Sequence, residues 1–279
     1  MRIPSRRTAT LIALSAVAAL ALSACTSSTG STPAATKGGV ALIKAGTITT
    51  CTQLPYRPFE FTDKGKIVGF DVDIVDEIAK DLGVKQEIVD TPFEGIQTGE
   101  DLSTGKCDIA AAGMTITDVR KTVLNFSAPY FDATQALLVK SGSPIASLKD
   151  LAGKKVGVQA GTTGEIYATA NAKNASLVQF EDVALLETAV QTGQVDAAIN
   201  DNGVLFDFAG TNKDVKVATE FATGEQYGMG VKTGNKDLLK AVDATLARIK
   251  ADKTYDKIYT KWFGTAPTTA SPVPTPARS

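Results

Sequence analysis

Apolar positions along this chain alternate between a period of two and a period near 3.6, and the switches mark its elements. Residues 46–52, G-T-I-T-T-C-T, read as a strand, and residues 59–70 as a hairpin turning at Asp63 to Gly65. A helix follows, with Asp71 as N-cap and Val75, Ile78, Ala79 and Leu82 spaced for one buried face. Residues 84–90 form a strand, residues 93–103 a weaker helix interrupted by Gly99, and residues 107–113, C-D-I-A-A-A-G, an apolar strand. A second series runs from the strand at 135–140 through a short helix opening at Ser147 to a strand at 155–160. It continues with a helix after Gly161, a strand at 176–180, a helix from Asp182 to Thr192, a strand at 194–200 and a helix opening at Asp201. Residues 226–231 read as a strand, Asn235 caps a long helix burying Leu238, Leu239, Val242 and Leu246, and a last helix spans Lys253 to Phe263. Strand, helix, strand order of this kind predicts two α/β lobes, each a mainly parallel sheet flanked by helices.

Both ends fall outside that pattern. Arg2, Arg6 and Arg7 precede an apolar run from about Thr10 to Leu22, the layout of a signal peptide and too short for a membrane span. The run ends in Leu22-Ser23-Ala24-Cys25, which resembles a bacterial lipobox, so residues 1–24 are expected to be cleaved and Cys25 lipidated. Residues 25–44 are polar and read as a flexible tether. Residues 265–279, broken by repeated Pro, read as a disordered tail. The protein is therefore expected outside the cytoplasm, held to the cell membrane by lipid.

Composition narrows the chemistry. The 279 residues carry 29 basic and 30 acidic side chains, and loss of the leader removes three Arg and no acid, so no basic field for nucleic acid exists. Histidine is absent, which removes the commonest general base and the usual zinc sites. No metal or other cofactor is expected, and a monomer is. In an oxidising compartment one disulfide between Cys51 and Cys107 is possible; two buried thiols are equally allowed, since parallel neighbours can hold them too far apart.

In open parallel sheets ligands bind beyond the carboxyl ends of strands, where loops enter helices. Four segments hold that position: Thr52 to Tyr56, Gly113 to Arg120, Gly161 to Thr163, and Asn200 with Asp201. The first two belong to one lobe and the last two to the other. Arg120 with nearby hydroxyls and amides suits a carboxylate. Asp201 suits a cation, and the two groups on one small molecule describe an amino acid.

The residues P-Y-R-P-F-E-F at 55–61, G-F-D-V-D-I at 69–74, G-K-C-D-I-A-A-A-G-M-T-I-T-D-V-R at 105–120 and F-S-A-P-Y at 126–130 resemble the bacterial extracellular solute-binding proteins of family 3. The likeness continues at 151–163, at V-D-A-A-I-N-D (195–201) and at 252–263. It implies a two-lobed type II periplasmic-binding-protein fold with a cleft between lobes, the first lobe built from 45–133 and 227–264 and the second from 134–226. It implies an amino-acid receptor of an ABC importer, serving a permease and ATPase complex and catalysing nothing. By the same resemblance Arg120 pairs with the ligand carboxylate, Thr115 and the Gly113 backbone assist it, Thr162 and Thr163 are donors of the second lobe, and Asp201 takes the ammonium. Tyr56 packs over the ligand and Phe93 lines its side-chain pocket, whereas Phe61 reads better as core. Gln53 stands where family members for cationic amino acids often carry an acid. Closure is expected to hinge near Phe131 to Gln135 and Thr223 to Gly228. The alternatives are an arogenate-type dehydratase on the same fold, with Glu94 or Glu165 as acid, and a ligand-sensing surface lipoprotein.

Overall fold

The computed structural model describes residue 36 and residues 39–267, and these fall in one compact unit. The leader, the lipidation at Cys25, most of the tether and nearly all of the tail lie outside the described residues. Where the tether is described it differs from expectation. Val40 and Leu42 are buried in the main core, and the Ile43 amide donates to Asp108 Oδ1 at 2.8 Å. Packing thus begins before Ala45, because two apolar side chains in a polar stretch find the core within reach.

The first lobe opens with β1 (Thr47–Thr52), the hairpin β2 (Phe61–Asp63) and β3 (Lys66–Val68), and α1 (Phe70–Leu82). The N-cap of α1 is Gly69, not Asp71: a Cβ at residue 69 would stand 1.8 Å from Phe59 O, so only glycine lets the hairpin lie on the helix start. Asp71 is instead buried in the first turn. After β4 (Lys85–Asp90), the expected helix over 93–103 is two short ones, α2 (Phe93–Gln97) and α3 (Glu100–Ser103), divided at Gly99 with φ of 75°. The apolar strand after it keeps only β5 (Ile109–Ala110), since the following residues turn to form the rim of a cavity. Next come α4 (Asp118–Lys121) and β6 (Leu124–Phe126).

The chain then crosses through β7 (Phe131–Lys140) into the second lobe. There β8 (Lys155–Gln159), α5 (Thr163–Asn171), β9 (Ser176–Phe180), α6 (Val183–Thr192), β10 (Ala197–Asp201) and α7 (Asn202–Thr211) follow, and β11 (Val215–Tyr227) leads back. The stretch 226–231 is not one strand, for β11 ends at Tyr227 and β12 (Gly230–Lys232) begins afresh in the first sheet. The helices α8 (Lys236–Ala251) and α9 (Thr254–Phe263) close the chain against α1.

The two five-stranded sheets run β4-β1-β5-β12-β6 and β11-β7-β10-β8-β9. In each, three neighbouring strands are parallel and the strands nearest the crossings are antiparallel. The crossings β7 and β11 pair with each other, Phe131 opposite Tyr227 and Ala133 opposite Glu225. Phe131 and Tyr227 stack at 5.3 Å between centroids and pack edge-on to Phe59, which roots both crossings in the first lobe's aromatic core. Cys51 of β1 and Cys107 are joined by a disulfide with Cα atoms 5.7 Å apart.

Candidate functional site

Where the loops of the two lobes meet, one cavity is lined by Gln53, Tyr56, Phe93, Gly113, Thr115, Arg120, Thr162, Thr163 and Asp201, together with Glu60, Ala112 and Gln159. The sequence singled out the first nine; the last three it did not. Arg120 sits on α4, whose N-cap Thr117 accepts from the Arg120 amide at 3.1 Å and so fixes the short turn. Its guanidinium, 5% exposed, donates to Thr115 O at 2.8 Å and, across the cleft, to Gly161 O at 3.0 Å. Phe93 lies under it, 5.1 Å from ring centroid to Cζ. Burial lowers the Arg120 pKa, and the Asp201 and Glu225 carboxylates oppose that.

Asp201 ends β10 but does not cap α7 with its side chain. Tyr56 Oη donates to its Oδ2 at 2.9 Å from the other lobe, and Tyr227 Oη and Gln135 Nε2 also donate to its carboxylate. Burial, then the charge of Glu225, pushes the Asp201 pKa up to about 7, against those three hydrogen bonds. Glu225 of β11 accepts from Thr115 Oγ1 at 2.9 Å and Thr163 Oγ1 at 2.7 Å, so one carboxylate ties a hydroxyl from each lobe.

Thr162 caps α5, accepting from the Glu165 amide and donating to Gln159 O at 2.7 Å. Gln53 Oε1 accepts from Gln159 Nε2 at 2.8 Å, and Gln53 Nε2 donates to Glu181 O at 3.1 Å. The Gly113 amide is not a free donor as expected, for it is held by Asp71 Oδ2 at 2.9 Å, which also accepts from Tyr130 Oη. Gly113 matters as a shape: its φ is 51°, and a Cβ there would meet Tyr56 Cε1 at 2.7 Å. Phe61 stays outside the cavity, edge-on to Trp262.

Glu60 is the most consequential omission. It is 1% exposed, and neither carboxylate oxygen makes a hydrogen bond of good geometry among the described residues, the Thr52 hydroxyl being the donor beside it. Burial and the nearby Asp71 charge raise its pKa well above the usual carboxylate range. Local pattern did not reveal it, because in an extended segment a residue between Phe59 and Phe61 points to the opposite face, and only the packing of the loop buries it. Gln159 was placed to be found, at the end of a strand before Gly161. The central space measures about 20 Å³, room for a water-sized body. The lobes are thus closed on each other, with Tyr56 to Asp201 and Arg120 to Gly161 bridging the cleft.

The family model of bacterial extracellular solute-binding proteins, family 3, matches residues 48–265. The glutamine-binding protein GlnH of an ABC transporter of Bacillus subtilis is 40% identical over 201 residues, 71% of this chain and 74% of that protein. The solved structure of an ancestral arginine-binding protein bound to glutamine superposes with a TM-score of 0.76 at 44% identity, covering 79% of this chain and 99% of that one. An ancestral amino acid-binding protein described as a precursor of cyclohexadienyl dehydratase gives 0.71 at 41% identity, over 78% and 95% of the chains.

Proposed function

This chain belongs to the bacterial extracellular solute-binding proteins, family 3, and from that premise we propose that it captures a free amino acid with a polar side chain between its lobes and delivers it to the permease of an ABC importer. One observation carries the reading: a guanidinium from the first lobe and a carboxylate from the second line the same buried cavity. Arg120 takes the α-carboxylate in a bidentate pair, giving up its bonds to Thr115 O and Gly161 O, while Thr115, Thr162 and Thr163 supply hydroxyls or helix-start amides. Asp201 takes the α-ammonium, with Tyr56 against the ligand and Phe93 beneath the guanidinium.

At the side-chain end stand Gln53, Gln159 and the buried Glu60, which suit a side chain rich in N–H donors. Lobes 45–133 with 227–264, and 134–226, open and close about the paired crossings, and closure removes water from the ionic contacts and strengthens them. The leader 1–24 directs export and is removed, and lipidated Cys25 then holds the monomer outside the cytoplasm beside its permease.

A dehydratase draws no support from its acid candidates. Glu165 is engaged by the Gly161 amide at 2.8 Å and by Gln179, Glu94 bonds Gln97 Nε2 at 2.9 Å, and neither lines the cavity. A thermal-shift screen of the protein against the twenty amino acids tests the proposal, since a ligand of the folded state raises the melting temperature. Polar amino acids should give shifts that their decarboxylated analogues do not, and that Arg120→Ala abolishes. A flat response to all twenty, or shifts retained in Arg120→Ala, refutes it.

A further inference from the structure

A second cavity, of about 270 Å³, lies at the seam beside the cleft. Pro55 and Arg57, from the loop after β1, form one wall; Val183 and Glu187 of α6 with Asp207 and Phe208 of α7 form the other. Its chemistry is unbalanced. Glu187 is only 7% exposed, and among the described residues no donor reaches its carboxyl. The charged groups facing it are Asp207 on α7 and Asp182 at the start of its own helix, and these add to burial to push its pKa up to about 9. Arg57, the nearest cation on the facing loop, is spent elsewhere: its Nε is 3.2 Å from Asp207 Oδ2 and its guanidinium stacks 3.8 Å over the Phe61 ring.

A carboxyl without a partner, facing a space whose walls carry Pro55, Val183, Val204 and Phe208 beside Arg57, Thr211 and Asn212, suits a cation that brings its own apolar surface. A hard metal ion does not qualify, because it needs six or more oxygen ligands and this cavity, lined also by Thr211 and Asn212, holds two carboxyls of which Asp207 is already paired with Arg57. An anion would have to compete with Asp207 for Arg57. We propose that the seam cavity is a second binding site, for a short primary alkylammonium whose charged head sits on Glu187 beside Asp207 and whose chain packs on Val183, Phe208 and Pro55. The site is separate from the cleft and stands whether or not the cleft takes an amino acid.

Near neutral pH the Glu187 carboxyl is protonated in the free protein, and an ammonium at contact favours its ionised form. Binding therefore releases close to one proton, and affinity rises about tenfold per pH unit toward pH 9. The test is calorimetric titration of the protein with n-butylammonium chloride at pH 7 in two buffers of different ionisation heat, repeated at pH 8 and with 1-butanol. Saturable binding with proton release, stronger at pH 8 and absent for butanol, is the expected result. It should vanish in Glu187→Gln, which is isosteric with the protonated acid, and persist in Asp201→Asn. No binding, equal binding of butanol, an affinity indifferent to pH, retention in Glu187→Gln, or loss in Asp201→Asn would each overturn the assignment; the last would place the amine in the cleft. The pH and butanol arms use only the native chain, so they decide the matter even if a variant fails to fold.

Discussion

Asp201 is held ready to ionise near neutral pH. With its pKa near 7, part of the free population carries a proton that an arriving ammonium has to expel. Affinity for the amino acid should accordingly climb as the pH rises from about 5.5 to 8 and then level, by up to roughly tenfold per unit below the pKa. Titration calorimetry across that range checks it, and a flat profile would remove Asp201 from the ammonium site. Arg120 and Asp201 were legible as residues because a charge at a strand-to-helix turn has few structural reasons to be there. Glu225 was not, since it lies on a strand whose polar run A-T-G-E-Q gives no period of two, and its role depends on hydroxyls brought from both lobes.

Elements with caps and clear periods were readable to within a residue or two. Asp182, Asn235 and Thr162 each accept the backbone amide expected of an N-cap. Elements shaped by a neighbour were not: β11 follows β7 for most of its length, with register shifts at Val217/Thr219 and Phe221/Glu225, and its strand character comes from that pairing. The disulfide belongs to the same scale. It ties β1 to the start of β5 and closes a loop spanning the hairpin, α1, β4, α2 and α3, with a sequence separation of 56. On the chain-entropy account, a loop of that length constrains the unfolded state by about 4 kcal/mol. Replacing both cysteines by Ala should lower the denaturation free energy by about 2–4 kcal/mol in a urea titration; an unchanged midpoint and slope would show that the bridge adds nothing.

Across the whole molecule, buried acids set an opposing pH response. Asp71, Asp201 and Glu187 titrate near 6, 7 and 9 in the fold, each raised first by burial, against about 4 when unfolded. The folded state therefore holds their protons more tightly, and raising the pH from 5 to 9 costs stability. The melting temperature should fall steadily over the interval in which amino-acid affinity rises; a melting temperature that increases toward pH 9 would contradict the burial of these groups. Two lobes were legible at this scale because strands and helices alternate regularly in each. The closed seam was not, for it rests on contacts such as Tyr56 to Asp201 and Arg57 to Asp207 between residues about 150 apart in sequence.

The place of β12 has a consequence for how the chain is made. The second sheet comes from the continuous stretch Phe131 to Tyr227, whereas in the first sheet Gly230–Lys232 lies between β5 and β6 and arrives after every other strand. A chain emerging from its N-terminus can thus finish the second lobe while the first waits with a gap in its middle. A polypeptide ending at Tyr227 should resist protease over the second lobe and be cut throughout the first; uniform digestion of both would show that neither stands alone. Anything that delays β12 leaves β5 and β6 open to pairing with another chain, so assembly of this protein is most vulnerable just before that strand arrives.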